Sequence, residues 1–353
     1  MEQIKIRNKV LDIPIIQGGM GVGISLDNLA GNVAKNGGMG VISTAHPGYR
    51  ASDFENDNVT VNRRELKKII ASAKDISEGK GIVAINAMVA LSDYEGLIEA
   101  ALEANVEAII SGAGLPMQLP KLVAGHDVLI APIVSSGKAA RLILKSWDKK
   151  YQRCPDFIVI EGANAGGHLG FKKDELLNHT NQSLMEIFND VKETIKPIEE
   201  KYNYSIPVFV AGGIYTSNDI KQYLDQGVDG VQVATRFIGT HECDANIKYK
   251  EAFVNASKED IELTISPVGM PGRCILTDLT RALNKGETFK VTKCYNCLIP
   301  CDVKTTPYCI SKALIEAVKG NINEGLVFSG SNGYLIDKIV SVKELITELT
   351  EEL

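Results

Sequence analysis

The chain has 353 residues, 44% of them hydrophobic and 23% charged; these are ordinary globular values, suited to one large α/β barrel or two medium domains, and they exclude disorder, collagen and coiled coil. A net charge of −6 offers no basic surface to nucleic acid or an anionic membrane, and no apolar run approaches the ~20 residues of a spanning helix. The opening Met1-Glu2-Gln3-Ile4-Lys5 lacks the apolar stretch of a signal peptide, and seven cysteines, four of them crowded between 294 and 309, do not suit a secreted disulfide scaffold, so a cytoplasmic protein is expected.

Taken in chain order, short Val- and Ile-rich runs recur at Ile13–Ile16, Met39–Ile42, Ile82–Asn86, Glu107–Ser111, Val128–Ile133, Phe157–Glu161, Pro207–Ala211 and Gly230–Ala234. Each is apolar throughout, the mark of a strand covered on both faces, as in a parallel sheet. Helix-compatible stretches such as Tyr94–Ala104, Lys138–Ser146 and Ser217–Gln226 lie between them. Eight such units predict an α/β fold, a (β/α)₈ TIM barrel. A doubly wound open sheet is the competing architecture, but Gly18-Gly19-Met20-Gly21-Val22-Gly23 after the first run has glycines at the wrong intervals for dinucleotide binding.

Uneven spacing predicts helical and loop insertions after strands two, six and eight. The first begins at His46-Pro47-Gly48-Tyr49 and includes the polar stretch 53–58, read as surface elaboration. The second covers 163–205, and the third carries the cysteine cluster. The expected domains are a barrel of residues 1–240 with 326–353, and an inserted subdomain at 241–325.

A barrel of this kind works at the C-terminal ends of its strands. Those ends read Gln17-Gly18-Gly19-Met20, Asn86, Gly112-Ala113-Gly114, Ser135-Ser136-Gly137, Glu161 through His168, Gly212-Gly213 and Thr235-Arg236. Their glycines let a flat ligand approach the backbone. The loops after strands seven and eight form the usual phosphate site of the fold, with amide donors and a helix N-terminus facing the anion. There Thr235 adds a hydroxyl, and Arg236 either complements charge or pairs with a neighbouring acid. A phosphate-bearing cofactor is expected on these grounds alone.

Gln17-Gly18-Gly19-Met20, Asn86-Ala87-Met88, Ser111-Gly112-Ala113-Gly114, Glu161–Gly170, Ala211-Gly212-Gly213-Ile214, Gln232–Phe237 and the closing Ser329-Gly330-Ser331-Asn332-Gly333 resemble the nitronate monooxygenase family, formerly 2-nitropropane dioxygenases, and its relatives the flavin-dependent enoyl-acyl-carrier-protein reductases. The resemblance implies non-covalent FMN. Gly213 with Gln232, Val233, Ala234 and Thr235 would hold its phosphate. Gly19, Met20 and Asn86 would lie along the ring, and Gly166 and Gly167 would line the cofactor beside His168. Gly112, Ala113, Glu161 and Gly212 complete the implied cofactor set. Ala234 stands where many relatives have glycine, and Asn164 where nitronate enzymes often carry glutamate.

His168 follows the sixth strand directly after two glycines, which would lean its imidazole over the cofactor. A group titrating near neutrality there can take a proton next to a nitro group or give one to an enolate. His126, His179, His241 and His46 read as structural or solvated. Cys294, Cys297, Cys301 and Cys309, separated by two, three and seven residues, have a spacing that wraps an iron–sulfur cluster or a tetrahedral zinc; an unmetallated loop is the alternative. Cys154, Cys243 and Cys274 read as packing residues.

These observations lead to an FMN-dependent oxidoreductase that oxidises alkyl nitronates with oxygen. An NAD(P)H-dependent enoyl reductase on the same barrel is the second reading, and a redox-sensing flavin protein with a metal-binding cysteine cluster the third. The expected partners are a small-molecule substrate (nitronate or enoyl thioester) and a second copy of the chain in a homodimer, with neither nucleic acid nor membrane.

Overall fold

The computed structural model describes residues 3–267 and 269–353, so the first two residues of the expected barrel domain and Val268 of its insertion lie outside the described residues. Eight parallel strands close into a barrel: β1 Ile15–Gln17, β2 Met39–Ser43, β3 Ile82–Met88, β4 Ala108–Gly112, β5 Leu129–Val134, β6 Ile158–Glu161, β7 Val208–Ala211 and β8 Gly230–Val233. Every expected strand is present within two residues of its expected start. The ladder closes where Val231 pairs with Ile15 and Val233 with Gln17.

Alternation explains why the runs are apolar throughout. Ile16, Met39, Val41, Ile82, Ala84, Ile110, Ala131, Val159 and Phe209 fill the barrel interior. Their neighbours Ile42, Val83, Ile85, Ile109, Ile130, Ile160, Val210 and Val231 face outward under the helices. Successive strand residues point to opposite faces, so burial on both faces keeps the strands apolar except near their C-terminal ends, where Gln17, Ser43, Asn86, Ser111, Glu161 and Gln232 stand. An N-terminal hairpin, Ile4–Ile6 with Lys9–Leu11, places Ile6 and Leu11 in the interior cluster and plugs the barrel end away from the βα loops. The sequence reading did not anticipate it.

Helix termini follow local chemistry. Asp57 accepts the Thr60 amide at the start of Asn58–Ser77, Ser136 accepts that of Ala139 at the start of Gly137–Tyr151, and Ser183 with Glu186 forms a capping box for Leu184–Tyr202. No helix among the described residues is long and apolar enough to cross a membrane.

The insertions converge above the barrel. Ile261–Ile265, Pro271–Ile275 and Val327–Phe328 form an antiparallel sheet, and the short strand Gly167–His168 adds to it through Gly272 and Arg273. The polar stretch 53–58 is only partly surface. Phe54 is buried with Tyr49, Tyr295 and Ile315 in a second apolar cluster, while Asp53 pairs with Arg64 outside it.

Candidate active site

The strand ends surround a cavity of about 430 Å³. Its wall contains all fourteen cofactor residues selected from the sequence, from Gly19, Met20 and Asn86 through Gly112, Ala113, Glu161, Gly166, Gly167, Gly212 and Gly213 to Gln232, Val233, Ala234 and Thr235, together with His168. The parallel register brings them together: Ala211 pairs with both Glu161 and Gln232, so the ends of β6, β7 and β8 stand side by side.

The loops after β6, β7 and β8 are locked to the closing segment 329–333. Gly330 N donates to Thr235 Oγ1 at 2.9 Å, Ser331 N to the Asn164 carbonyl at 3.1 Å, and Asn332 Nδ2 to the Gly213 carbonyl at 2.8 Å. Gly166 is required by close approach, since a Cβ there would stand 2.6 Å from Gly330 N. Gly213 adopts φ +80, a left-handed conformation that favours glycine.

His168 is half-buried on its short strand. Its Nε2 lies 2.6 Å from Ser266 Oγ, and its ring meets Phe328 edge-on at 5.2 Å. Burial pulls its pKa down to about 4, so the imidazole is neutral above that pH. The expectation of titration near neutrality is corrected accordingly: desolvation disfavours the imidazolium, and the group available is a neutral proton acceptor. Glu161 behaves in the opposite sense, with burial raising its carboxyl from 4.5 to about 7.

That shift fixes a stability prediction. Between pH 4.5 and 7 the unfolded carboxyl is ionised while the folded one keeps its proton, so the folded state loses stability as pH rises through this window. The full shift corresponds to about 3 kcal/mol, reduced to about 2 kcal/mol by water in the cavity. Glu161→Gln is expected to stabilise the ligand-free protein by that amount at pH 8 and to change little at pH 4.5. Urea unfolding at the two pH values measures this, and equal effects at both would contradict it.

Two residues escaped the sequence reading. Ser266 sits 98 residues from His168. Arg273 donates from Nη1 to the carbonyls of Ala163 at 2.7 Å and Ala165 at 2.6 Å, which fixes the turn leading into Gly166-Gly167-His168. Only the pairing of Pro271–Ile275 with Gly167–His168 brings them there, and no local spacing signals it. Arg273→Met leaves both carbonyls without their charged donor and is expected to cost about 2–3 kcal/mol. A loss below about 0.5 kcal/mol in urea unfolding would show that the turn holds without it. Met270 and Leu314 from the insertion, with Phe328 just after it, add an apolar wall.

Arg236 takes the second of its two expected roles. It pairs with Glu348 and lies over the Tyr215 ring at 4.5 Å. His126, His179 and His241 are exposed, whereas His46 is buried, with Nε2 2.7 Å from Ser311 Oγ. Cys154, Cys243 and Cys274 are buried, as packing residues should be. The cysteines of 294–309 are free thiols and none lines the cavity. Among the described residues no three His, Cys, Asp or Glu side chains come close enough to hold one metal ion.

The sequence profile of the family described as nitronate monooxygenase matches residues 3–352. Among curated relatives, a "(3aS,4S,5R,7aS)-5-hydroxy-7a-methyl-1-oxo-octahydro-1H-indene-4-carboxyl-CoA dehydrogenase" of Rhodococcus jostii is 26% identical over 76% of this chain, and a probable nitronate monooxygenase of Bacillus subtilis is 24% identical over 57% of it. The matched regions span 64% and 52% of those relatives' own lengths. Among solved structures, FabK from Thermotoga maritima superposes with a TM-score of 0.73 at 24% identity, covering 97% of this chain and 93% of that one. Nitroalkane oxidase from Streptomyces ansochromogenes gives 0.71 at 18% identity, covering 97% and 96%. These two likenesses establish the shared barrel, and the family profile, which spans almost the whole chain, establishes more: the chain belongs to the nitronate monooxygenase family.

Proposed function

We propose that the chain is an FMN-dependent oxidoreductase that oxidises alkyl nitronates with oxygen, His168 handling the proton. The observation that carries this reading is the convergence of His168 and all fourteen cofactor residues selected from the sequence on one cavity at the barrel's C-terminal end. The cavity also fits FMN by its own chemistry. Gln232 Oε1 is buried without a hydrogen-bond partner, and among the described residues the amides of Gly212 and Gly213 donate to no backbone carbonyl. A Cβ on Gly167 would meet nothing within 4 Å. Unsatisfied donors and acceptors beside open space are what a polar, flat ligand completes.

In this reading Gly213 and the segment Gln232–Thr235 hold the phosphate, the Asn86 side chain and the backbone of Gly19-Met20 orient the ring, and Gly166-Gly167 leave room for it. FMN, when bound, supplies the electron transfer from nitronate to oxygen. His168, neutral and positioned by Ser266, takes the proton from a nitroalkane carbon. Oxygen consumption on adding an alkyl nitronate to the FMN-loaded protein tests the reading, and no uptake above a boiled control would overturn it.

An enoyl reductase remains the second reading. The apolar wall of Met270, Leu314 and Phe328 suits an acyl chain, and the Rhodococcus relative is named for a CoA thioester. Anaerobic bleaching of the flavin by NAD(P)H, with no response to nitronate, would select it.

A further inference from the structure

We propose that Glu161 takes the cofactor as a neutral carboxylic acid, donating its proton to the bound flavin, so that FMN binding is linked to proton uptake at this one side chain. The inference rests on the flavin reading of the cavity and on neither choice of substrate. Strand alternation aims the side chain. In β6, Val159 belongs to the barrel interior and Ile160 to the layer under the helices, so Glu161 turns inward again at the strand's end, where it lines the cavity. Its neighbour across the ladder is Ala211, which also pairs with Gln232. A small methyl thus stands between two long polar side chains on one inner face. Gln232 Oε1 is buried without a partner, and among the described residues the Glu161 carboxyl forms neither an ion pair nor a hydrogen bond. Neither end of this row is satisfied within the protein, which is what a polar ligand completes.

No cation stands ready to neutralise a carboxylate there. The other titratable side chains of the cavity wall are His168, Tyr215 and Arg236. Arg236 is committed to Glu348. Burial pulls His168 down to about 4, so it is neutral at physiological pH, and lifts Tyr215 above its usual range, so it keeps its proton. On the β5 side of β6 the wall is Ile133, Val134, Ser135 and Ser136, and the loop after β6 adds Asn164; none is charged. Arg273, which holds the carbonyls of Ala163 and Ala165, does not line the cavity. An ionised Glu161 would therefore face an anionic ligand uncompensated, whereas the acid offers a hydrogen-bond donor beside the Gln232 acceptor. Burial accordingly raises the group to about 7 in the ligand-free protein, and a ligand that displaces cavity water raises it further. Above pH 7 the free protein carries the carboxylate and must gain a proton to bind, so affinity falls as pH rises. One such proton makes binding about fiftyfold weaker at pH 9 than at pH 7. A phosphate monoester, with its second ionisation at about 6, is already almost wholly a dianion across this window.

The test is flavin fluorescence titration of the full chain with FMN at pH 7, 8 and 9, with proton uptake on mixing followed by an indicator dye in weak buffer at pH 8. Wild type is expected to lose about fiftyfold in affinity across the range and to take up close to one proton per FMN bound. Glu161→Gln keeps the size and an N–H donor but cannot titrate, so its affinity should be nearly level across the range and its proton uptake should vanish. If that variant fails to fold, the wild-type proton uptake decides alone. Wild-type affinity that is level from pH 7 to 9, binding without proton uptake, or a glutamine variant with the pH dependence of wild type would overturn the proposal while leaving the flavin reading standing. Protein that binds no FMN at any of the three pH values would defeat the flavin reading and the proposal with it.

Discussion

Thr235→Glu is expected to abolish FMN binding. In the proposed reading Thr235 closes the phosphate end of the cavity that Gly212 and Gly213 also line, its Oγ1 accepting from Gly330 N at 2.9 Å. A carboxylate there faces a phosphate across about 4 Å in a partly desolvated pocket, where two like charges repel by about 4 kcal/mol. That weakens binding about a thousandfold. Thr235→Ser keeps the hydroxyl and the Gly330 contact and should bind FMN nearly as wild type does. Flavin fluorescence titration measures both variants. Wild-type affinity in the glutamate variant would remove the phosphate from this end of the cavity.

His168→Asn is expected to retain FMN while losing about 10²- to 10⁴-fold in rate on a neutral nitroalkane, the range of a lost general base. The asparagine keeps similar size and can still hydrogen-bond Ser266, but it cannot accept the proton. A substrate supplied already as the nitronate should suffer far less. Because burial holds the His168 pKa at about 4, the wild-type rate on nitroalkane should show no inflection from this group between pH 5 and 8. An inflection near 7 belongs to Glu161, whose carboxyl is raised to that value. Equal losses on both substrate forms would make His168 a binding residue, and no loss on either would make it structural.

The barrel was legible because its chemistry is local. Each strand must bury both faces, so Val83, Ile85, Ala84 and Ile82 are all apolar, and each strand end must turn, so glycine follows. The site was legible for the same reason, since a strand's end is a position in sequence. The hairpin Ile4–Ile6 with Lys9–Leu11 was missed because three-residue strands carry too short an alternation to stand out. Ser266 and Arg273 were missed because they reach the loop 163–168 through a sheet formed across a hundred residues, and such pairings leave no periodic trace. His46 shows a limit of another kind. An isolated histidine in a loop reads as structural or solvated, and which of the two holds is settled only when two insertions fold together and Phe54 and Tyr295 enclose it.

The most direct test of the central claim is the visible spectrum of the FMN-loaded protein mixed anaerobically with an alkyl nitronate, with no NAD(P)H present. The nitronate reading predicts that the flavin absorbance bleaches and returns when oxygen is admitted. A spectrum unmoved by nitronate, or a protein that binds no FMN at millimolar concentration (weaker than about −4 kcal/mol), would contradict it.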